Sequence, residues 1–341
     1  MKRLLFVINS LVALGTLFLF VAAYIPPSKL GYFSGITLFT PVALAANFIF
    51  VLFWGIRLNK KALLSIIILL INFAGILKFV NFNFLSGSSN ENGESIKLMS
   101  YNAHGFSTPK IRKDFHTKVL NLIDKEKPDI VVLQETMMNE KLKKCIQKYK
   151  YHNKININNG GYSDVILTDY EIINSGHVNL HYESAKNYAP FADIVIEKDT
   201  VRIYNIHLAS FKFSQDPEVL KNTSRKGMIK RLNTVYVHQE NQVETLKKHF
   251  LKSPYPIIIM GDFNNNAFSY IHRKLLKYGK LKDSYVEAGK GFGSSFDFSY
   301  FPTRIDFILV PEATDVLTHK VVRTKKWSDH YPIFSEIKFK E

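Results

Sequence analysis

PIIIMGDFNNNAFS, residues 256–269, is the stretch that decides the fold. It begins as a short apolar run, which is typical of a buried strand, and the run ends at Gly261. A carboxylate at Asp262 and an amide at Asn264 follow at once. An Asx-turn at the strand end would explain both side chains, and so would a site that needs an acid beside an amide. The ends of the other strands separate these two interpretations.

Short runs rich in β-branched residues recur between residues 96 and 339. They predict strands at 96–101, 130–134, 165–168, 194–197, 201–208, 256–260, 305–310 and 333–339. Helical patterns lie between only some of them, at 111–125, 141–149, 227–251 and 268–277. Many strands with few intervening helices favour the α+β class, with two sheets packed face to face and helices outside them.

Polar side chains gather where these strands end. They are Asn102, Gln134-Glu135, His207, Asp262 with Asn264, Asp306, and Asp329-His330. Taken singly, most have a structural explanation, such as a turn at Asn102, a helix cap at Glu135 or a core histidine at His207. Asp306 is harder to explain, because a carboxylate inside the apolar run RIDFILV is costly to bury without a partner. Six coincidences of this kind are improbable together, so we predict one common site.

Hydrolysis of a phosphodiester would use this mixture of side chains. A hard cation such as Mg²⁺ takes oxygen ligands, and the carboxylates of Glu135 and Asp329 suit that role. The attacking water needs a proton acceptor, for which Asp262 is suited. The neutral amides of Asn102 and Asn264 can orient water or phosphate without adding negative charge.

A histidine would complete such a site. Imidazolium can donate to phosphoryl oxygens as negative charge accumulates on them, provided a carboxylate fixes the other ring nitrogen. His330 directly follows Asp329 in the chain, and Asp306 is the buried carboxylate that needs a partner. We therefore predict that Asp306 and His330 form a pair.

The ordered set of motifs resembles the endonuclease/exonuclease/phosphatase superfamily, the deoxyribonuclease I-like fold. The resemblance covers residues 96–340, and six short motifs in the right order make it specific although each motif is weak alone. It implies a four-layer α/β sandwich of two packed β-sheets, with the site at one end of the sheets. It also implies dependence on a divalent cation, Mg²⁺ or Mn²⁺.

The resemblance assigns roles residue by residue. By motif, the principal metal ligand is Glu135, with Asn102 and Asp329 close to it. Asp262 and Asn264 position the nucleophilic water, and Asp306 orients His330 against the phosphate. His207 matches the second histidine of the deoxyribonuclease-like branch.

Two positions depart from the family pattern. Some relatives have an acidic residue two positions after the first asparagine, where this chain has His104. The glutamate that partners the second histidine in deoxyribonuclease I has no counterpart in GGYSDVILT, where Asp164 is the nearest substitute. We expect Asp164 to partner His207, and the alternative is a simple strand-edge charge.

The first 94 residues differ in composition from the rest of the chain. They hold seven Lys and Arg and two Asp and Glu, which leaves 38 and 27 of these for residues 95–341, a net charge of +11. Three apolar stretches, at about 4–25, 32–55 and 62–80, are each close to the roughly 20 residues that cross a bilayer. We predict a membrane anchor over 1–80, a flexible linker over 81–94 and a catalytic domain over 95–341. A cleaved signal peptide would explain the first stretch alone, but the two that follow favour a retained anchor.

The basic residues of the anchor predict its orientation. Lys2 and Arg3 precede the first stretch, and Arg57, Lys60 and Lys61 follow the second. The positive-inside rule places both groups in the cytoplasm. Three crossings then place the catalytic domain outside, on an integral protein of a bacterial inner or plasma membrane.

The substrate is less constrained by the sequence. The family cuts nucleic acids, sphingomyelin and other phosphoesters, and a fold does not choose among them. The charge of +11 suits any polyanion, so we predict nuclease-like activity on DNA or RNA. The first alternative is a lipid or glycan head-group phosphodiester in the adjacent leaflet. The stretch at 292–301 is either a substrate-facing loop or part of the core, and we favour the loop.

A non-catalytic membrane receptor or scaffold is the competing class. It would keep the fold and lose the chemistry, and so it predicts gaps in the site. No core position of the motif set is missing apart from the substitution at His104. We therefore favour the enzyme.

Overall fold

The computed structural model describes residues 2–83, 95–103, 109–137, 143–144, 146–157, 162–180, 187–211, 224–297, 303–323 and 328–340. His104, most of the predicted linker and part of the predicted helix at 141–149 lie outside these residues. The described α-helices are α1 (Lys2–Ala22), α2 (Pro27–Leu30), α3 (Thr40–Gly55), α4 (Ala62–Ile71), α5 (Phe73–Phe79), α6 (Pro109–Glu126), α7 (Arg225–Phe250), α8 (Tyr270–Gly279) and α9 (Ser284–Ala288). The strands are β1 (Val80–Phe82), β2 (Ile96–Asn102), β3 (Ile130–Met137), β4 (Tyr151–Ile157), β5 (Tyr162–Thr168), β6 (Ile172–Asn179), β7 (Tyr188–Ile196), β8 (Asp199–His207), β9 (Ile257–Asp262), β10 (Leu281–Asp283), β11 (Lys290–Phe292), β12 (Asp306–Pro311), β13 (Thr314–Val321) and β14 (Ile333–Phe339).

Two six-stranded sheets form the centre of the predicted catalytic domain. Their strand orders are β10-β12-β9-β8-β7-β6 and β13-β14-β2-β3-β5-β4. Each sheet has one parallel pair, β8–β9 and β2–β3, and its other pairs are antiparallel. Apolar residues of both sheets, such as Leu98, Ile130, Ile258 and Ile308, share one buried cluster. The sheets therefore pack face to face.

Helices cover the outer face of each sheet. Leu246 of α7 and Leu275 of α8 pack in one cluster with Ile259 of β9. Val119 of α6 packs in another with Val131 of β3. The order is helix, sheet, sheet, helix, so the predicted four-layer sandwich is confirmed.

The parallel pairs bring the predicted site residues to one end of the sheets. In β2–β3, Asn102 is opposite Gln134, and in β8–β9, His207 is opposite Asp262. Asp262 is also opposite Asp306 in the antiparallel pair β9–β12. Because strands of a parallel pair end at the same edge, chemistry-bearing residues from distant parts of the sequence converge there.

The strands that the sequence patterns missed are β4, β6, β10 and β13, together with the short pair β1–β11. In both large sheets, the missed strands are the edges. Edge strands bury fewer side chains and carry more polar residues, and β6 (IINSGHVN) has only one buried residue. The apolar runs used for prediction are therefore weakest where a sheet ends.

The N-terminal helices include two that are long and apolar enough to cross a membrane, α1 and the segment Ile36–Gly55. With 21 residues, α1 is about 31 Å long. The third predicted span is a bent pair, since α4 and α5 meet at an angle of 72°. With ten residues, α4 rises only about 15 Å, which is half of a hydrocarbon core.

Polar side chains hold these helices to one another. Ser65 of α4 donates to Asn9 Oδ1 of α1 at 2.6 Å, and Asn47 of α3 donates to Thr16 Oγ1 of α1 at 2.8 Å. All four residues are buried. Such contacts are typical of helices packed in lipid, where apolar burial alone gives little preference for a partner helix.

The catalytic domain is in contact with the anchor. β1 follows α5 directly and pairs antiparallel with β11. Residues 81 and 82, which we assigned to a flexible linker, therefore belong to a strand, because β11 supplies hydrogen-bond partners that the sequence pattern does not reveal. Residues 84–94 of the predicted linker lie outside the described part of the chain.

Candidate active site

The predicted catalytic and metal-binding residues all lie in the described part of the chain and meet at one edge of the sandwich. They are Asn102, Glu135, Asp164, His207, Asp262, Asn264, Asp306, Asp329 and His330. Hydrogen bonds or ion-pair contacts connect most of them to one another. His104, the position that departs from the family pattern, is not described.

His330 and Asp306 form the predicted pair. Nδ1 of His330 lies 2.9 Å from Asp306 Oδ2, and Nε2 lies 3.6 Å from Asp262 Oδ2. All three side chains are buried. Burial alone would lower the pKa of His330, but the charges of Asp306 and Asp262 outweigh it and raise this pKa to about 10. The histidine is therefore an imidazolium at neutral pH, with Nδ1–H donated to Asp306.

Two neighbours position this pair. The hydroxyl of Ser295 accepts the backbone N–H groups of Ile305 and Asp306, at 3.1 and 3.0 Å. The ring of Phe296 packs against the imidazole of His330, with centroids 4.9 Å apart. Both belong to the aromatic stretch at 292–301, so its described part supports the site from the side. Residues 298–301 of that stretch are not described.

Asp262 accepts hydrogen bonds from two directions. Its Oδ1 accepts the backbone N–H of Asn264 at 2.8 Å, and its Oδ2 accepts the amide of Asn102 at 2.9 Å. The first bond is an Asx-turn, and the second joins the two sheets. Burial raises the pKa of Asp262 to about 6, against the opposing charge of His330. This carboxylate can therefore exchange a proton near neutral pH.

Backbone geometry explains the sequence around Asp262. Gly261 has φ +139°, and a Cβ there would lie 2.0 Å from the carbonyl oxygen of Ile206. Only glycine fits this approach. Asn264 follows in the left-handed region with φ 48°, and its amide donates to the carbonyl of Leu208 at 3.0 Å. The Gly-Asp-Phe-Asn sequence thus sets the direction of both polar side chains.

Glu135 is a partly exposed carboxylate of the site. It has φ 50° and lies in a bulge between Leu133 and Thr136, where the pairing of β3 with β5 shifts register. Its Oε1 is 3.4 Å from the amide of Asn102 and 3.3 Å from Nε2 of His207. The side chain is 28% exposed, against 1% for both Asp262 and Asp306. A bulge is a common way to re-aim a side chain beside an active site, and here it turns a carboxylate towards solvent.

Asp164 lies beneath Glu135 in the adjacent strand. Its Oδ1 accepts the backbone N–H of Glu135 at 3.1 Å, so it fixes the bulge. Burial raises its pKa to about 7, with the charge of His207 opposing. Burial would lower the pKa of His207, but Glu135 and then Asp164 outweigh it, and the pKa is raised. Among the described contacts, the closest carboxylate to His207 is therefore Glu135, and Asp164 acts on it through its charge.

Ser328 connects Asp329 with Asn102. The hydroxyl of Ser328 lies 3.0 Å from the carbonyl oxygen of Asn102 and 3.2 Å from Asp329 Oδ1. The hydroxyl oxygen of Ser328 also accepts the backbone N–H of His330, at 3.1 Å. The SDH motif is thus attached to the end of β2.

Two groups of side chains are candidates for a metal ion. Asp262, Asp306 and His330 offer ligand atoms within 4.8 Å of one another. One oxygen of Asp306 is hydrogen-bonded to Nδ1 of His330, and all three side chains are buried, so this group suits a proton relay better. Glu135, Asn102 and Asp329 offer two carboxylates and an amide oxygen, which are the donor types of a hard cation. By donor type, the second group is the better candidate for a divalent cation.

Two residues that support the site escaped the sequence analysis. Asn205 of β8 accepts from Gln134 at 2.7 Å and donates to the carbonyls of Leu133 and Val165, which bridges the sheets beneath the site. Its place two residues before His207, on the same strand face, is a signal that could have identified it. Gln239 of α7 has no such signal, because a single glutamine in a polar helix is unremarkable in a sequence.

Gln239 organises the loop after β9. Its amide donates to the carbonyls of Ala209, Phe263 and Asn264 at 2.7, 3.2 and 3.2 Å. Its carbonyl accepts from Asn265 at 2.7 Å. The side chain is fully buried. The loop that carries Asn264 is therefore fixed from the helix layer as well as from the sheet.

Arg304, which belongs to the RID motif, points away from the site. Its guanidinium donates to both oxygens of Asp283, at 3.0 and 2.8 Å, and to the carbonyl of Lys78 at 3.2 Å. Asp283 also lies 3.0 Å from Nε2 of His272. The arginine thus joins the catalytic domain to the end of α5.

Comparisons with known proteins agree with this geometry. The family model described as "Endonuclease/Exonuclease/phosphatase family" matches residues 99–330. A second model, described as a domain of unknown function (DUF8431), matches residues 2–79. No curated protein matches the chain.

Several solved structures share the fold of the two-sheet sandwich. An endonuclease/exonuclease/phosphatase family protein from Leptotrichia buccalis is 18% identical, with a TM-score of 0.54, and the match covers 72% of this chain and 100% of that one. A protein of the same family from Bacteroides thetaiotaomicron is 16% identical, with a TM-score of 0.56 over 74% and 100% of the two chains. D. rerio TDP2, in a complex with a single-strand DNA product, is 14% identical, with a TM-score of 0.54 over 72% and 100%.

Proposed function

The chain belongs to the endonuclease/exonuclease/phosphatase family, and on this premise we propose that it is a membrane-anchored, divalent-metal-dependent phosphodiesterase. The observation that carries the proposal is the continuous contact from Asp306 through His330, Asp262 and Asn102 to Glu135. A proton donor, a proton acceptor and an exposed metal-binding carboxylate thus stand side by side. A receptor that had lost its chemistry would have no need to maintain this set.

Asp262 activates the attacking water. Its carboxylate is held from both sides, by Asn264 and by Asn102, so its position is fixed before substrate arrives. With a pKa of about 6, it is largely ionised at neutral pH and still basic enough to take a proton. Asn264 orients the same water, and attack proceeds in line with the leaving oxygen.

His330 stabilises the phosphoryl oxygens. Asp306 holds Nδ1, which leaves Nε2–H free to face the phosphate beside Asp262. A preorganised imidazolium of this kind favours the transition state, in which negative charge accumulates. His207 offers a second donor on the side of Glu135.

Glu135, Asn102 and Asp329 would hold the divalent cation, Mg²⁺ or Mn²⁺. When bound, the ion neutralises charge on the phosphoryl oxygens and supports the leaving oxygen. The partial exposure of Glu135 leaves one face of the site accessible to both ion and substrate.

A panel of diesters tests the proposal. The full chain, purified in detergent, is incubated with DNA, RNA, sphingomyelin and a chromogenic bis-aryl phosphate, with Mg²⁺ or with a chelator. We expect cation-dependent hydrolysis of the chromogenic diester, abolished in Asp262→Asn. Hydrolysis that persists in Asp262→Asn or with chelator would contradict the assigned mechanism, and inactivity on the whole panel would favour the non-catalytic receptor.

Nucleic acid is the first candidate for the natural substrate. The net charge of +11 on residues 95–341 suits a polyanion, and TDP2 of D. rerio, which shares the fold, was crystallised with single-strand DNA. The charge pattern of the anchor supports a position of the catalytic domain outside the cytoplasm. The nucleic acid would then be extracytoplasmic.

Contacts with the anchor favour a second candidate, a lipid or glycan head-group phosphodiester. The amide of Asn266 donates to the carbonyl of Thr37 at 3.2 Å, only four residues after Asp262. Four residues span at most about 14 Å. Tyr32 and Phe33, which precede the candidate span Ile36–Gly55, are exposed, as expected of aromatic residues at a membrane interface. These contacts support a position of the active-site loops close to the bilayer surface, where head groups are concentrated.

A further inference from the structure

A basic cavity of about 280 Å³ lies outside the catalytic centre, and none of the predicted catalytic or metal-binding residues lines it. Its walls come from β11, from the end of β13 and from α9. The lining residues that matter here are Tyr285, Lys290, Phe292, His319, Lys320 and Arg323. The cavity is large enough for a phosphate group with a small substituent, since a water molecule occupies about 30 Å³.

The lining carries positive charge without a lining acid. Lys290, Lys320 and Arg323 are the charged residues of the wall. Lys320 forms an ion pair with Glu126 of α6. Within the described part of the chain, Lys290 and Arg323 form no ion pair, and the guanidinium of Arg323 donates to the carbonyl of Phe292 at 3.3 Å. Both side chains are exposed, so their charges are available to contact an anion in the cavity.

A buried donor or acceptor in the wall also lacks a partner. His319 is only 7% exposed, and its Nδ1 lies 2.9 Å from the hydroxyl of Ser284. Its Nε2 is buried and has no hydrogen-bond partner among the described residues. Buried polar atoms are almost always paired, so an unpaired one in a cavity wall points to a ligand atom. An oxygen of a bound anion would satisfy it.

The cavity borders the point where the chain leaves the anchor. Its β11 wall pairs with β1, which continues directly from α5. The ring of Phe292 packs on Phe79 of α5, with centroids 5.3 Å apart, and the hydroxyl of Tyr285 donates to the carbonyl of Phe79 at 3.2 Å. Phe82 and Phe292 are both about half exposed. Cations flanked by exposed aromatic rings at the end of a membrane segment are typical of the head-group layer.

We propose that this cavity binds the phosphate of a membrane-lipid head group. Lys290 and Arg323 contact the phosphate oxygens, Nε2 of His319 takes the hydrogen bond that it now lacks, and the acyl chains extend along Phe82 and Phe292 towards the bilayer. The bound lipid would join the anchor to the catalytic domain at the β1–β11 ribbon. This role is independent of hydrolysis at the catalytic centre.

The test is binding by the full chain in an uncharged detergent. Isothermal titration calorimetry is carried out with a short-chain phosphatidylglycerol, with inorganic phosphate and with a short single-stranded oligonucleotide. A chelator is present throughout, so that phosphate has no metal to bind at the catalytic centre. We expect saturable binding of the lipid, about tenfold weaker or more in Lys290→Ala/Arg323→Ala.

Matched variants separate a site from general attraction. Lys198→Ala/Lys252→Ala removes the same charge from exposed positions away from the cavity and should bind the lipid like the wild type. His319→Asn keeps a partner for Ser284, removes Nε2 and should weaken binding. Equal weakening in the Lys198/Lys252 control, or no saturable lipid binding, would overturn the proposal. Inorganic phosphate or oligonucleotide binding as tightly as the lipid would overturn the lipid assignment.

Discussion

The Asp262 carboxylate accepts hydrogen bonds on both of its oxygens. One bond closes the turn to Asn264, and the other, from Asn102, joins the two sheets in front of His330. The turn interpretation of GDFN is therefore confirmed, and the same side chain keeps its predicted place in the candidate site. An alanine substitution here would damage the fold and the chemistry together, which is why Asp262→Asn is the informative change.

Glu135 should carry most of the cation affinity. Glu135→Gln keeps the shape and removes the charge, so affinity for Mg²⁺ or Mn²⁺ should fall by about tenfold or more, since a carboxylate is the strongest ligand in the set. Glu197→Gln is the matched control, because Glu197 also has positive φ, 54°, and lies in an exposed hairpin. Calorimetric titration of both variants measures the effect. Equal affinities in the two variants would place the ion elsewhere.

Asp306 and His330 should act as a unit in the transition state. Loss of a preorganised donor costs on the order of 100-fold in kcat, so Asp306→Asn and His330→Ala should each fall by about that factor. Because His330 without Asp306 loses its orientation and its raised pKa, the double variant should be little worse than either single one.

Kinetics on the chromogenic diester, with thermal melting to confirm folding, measure these losses. Asp306 and His330 lie next to Asp262. The pH dependence of kcat is therefore measured for each variant, to show whether Asp262 still acts as the base. If the two single losses multiply in the double variant, the residues act independently and the pairing is wrong.

The secondary-structure elements explain which parts of the sequence could be interpreted. The central strands β2, β3, β8 and β9 are apolar runs that end in polar residues, and β12 is an apolar run that begins with Asp306. These runs predicted the sandwich and supplied the residues of the candidate site. The edge strands β4, β6, β10 and β13 have no such run, because only central strands are buried on both faces. Asp164 shows a second limit of prediction from sequence patterns. Its proximity to His207 was predictable, but its hydrogen bond to Glu135 depends on a bulge that no local sequence signal specifies.

Helix α7 should hold the catalytic loop through one residue. Gln239→Ala leaves the carbonyls of Ala209, Phe263 and Asn264 without their donor, which should cost about 1–3 kcal/mol of stability. Because the loop positions the water, kcat should also fall by roughly tenfold or more. Asn241→Ala, exposed on the same helix, is the control for helix propensity. Melting curves measure the loss of stability, and kinetics measure the loss of kcat. An unchanged kcat in Gln239→Ala would contradict this role.

Two buried histidines should make the fold sensitive to acid. Burial lowers the pKa of His272 to about 4 and that of His319 to about 3, from 6.5 in an unfolded chain. Between these values and 6.5 the unfolded chain binds more protons, so stability is complete above about pH 6.5 and falls as the pH falls. At pH 5 each histidine should cost about 2 kcal/mol.

Substitutions that keep one hydrogen bond isolate these two contributions. His272→Gln retains a donor to Asp283, and His319→Asn retains a partner for Ser284. Thermal unfolding of the full chain in detergent is compared at pH 7 and pH 5. Each variant should lose less stability on acidification than the wild type, and identical losses would show that neither group titrates in the unfolding transition.

The anchor and the catalytic domain share an interface that no sequence motif predicted. Ser28 bonds to Glu240 of α7, with its backbone N–H and its hydroxyl at 2.8 and 2.9 Å from the carboxylate. Arg273 of α8 lies over the ring of Tyr24 at 3.7 Å. Each residue alone is an ordinary surface side chain, so only the assembled structure shows their pairing. Arg304 is a further example. The sequence groups it with the RID motif, whereas in the structure its guanidinium contacts the carbonyl of Lys78 in α5.

If α1 and α3 each cross a membrane, these contacts predict which parts of the chain share a side. The turn between α1 and α3 contacts the two-sheet sandwich, so both would lie on one side. The turn between α3 and α4 is at the other end of α3 and would lie on the opposite side. The bent pair α4–α5 would then return the chain to the first side, although α4 alone is too short to cross. A pair that re-entered and left on the same side would separate the catalytic domain from the turn at Ser28.

Cysteine labelling tests this arrangement without a fusion partner. Cys145 is the only cysteine of the chain, so Cys145→Ser gives a background for single cysteines at the exposed positions Lys29, Lys60 and Lys198. A membrane-impermeant maleimide applied to intact cells should label Lys29→Cys and Lys198→Cys, because the positive-inside rule predicts that the catalytic domain lies outside. Lys60→Cys should react only after the membrane is permeabilised. The reverse pattern would keep the interface and place the domain in the cytoplasm, with genomic DNA again a candidate substrate. Labelling of Lys60→Cys together with Lys198→Cys would contradict the third crossing and the interface with it.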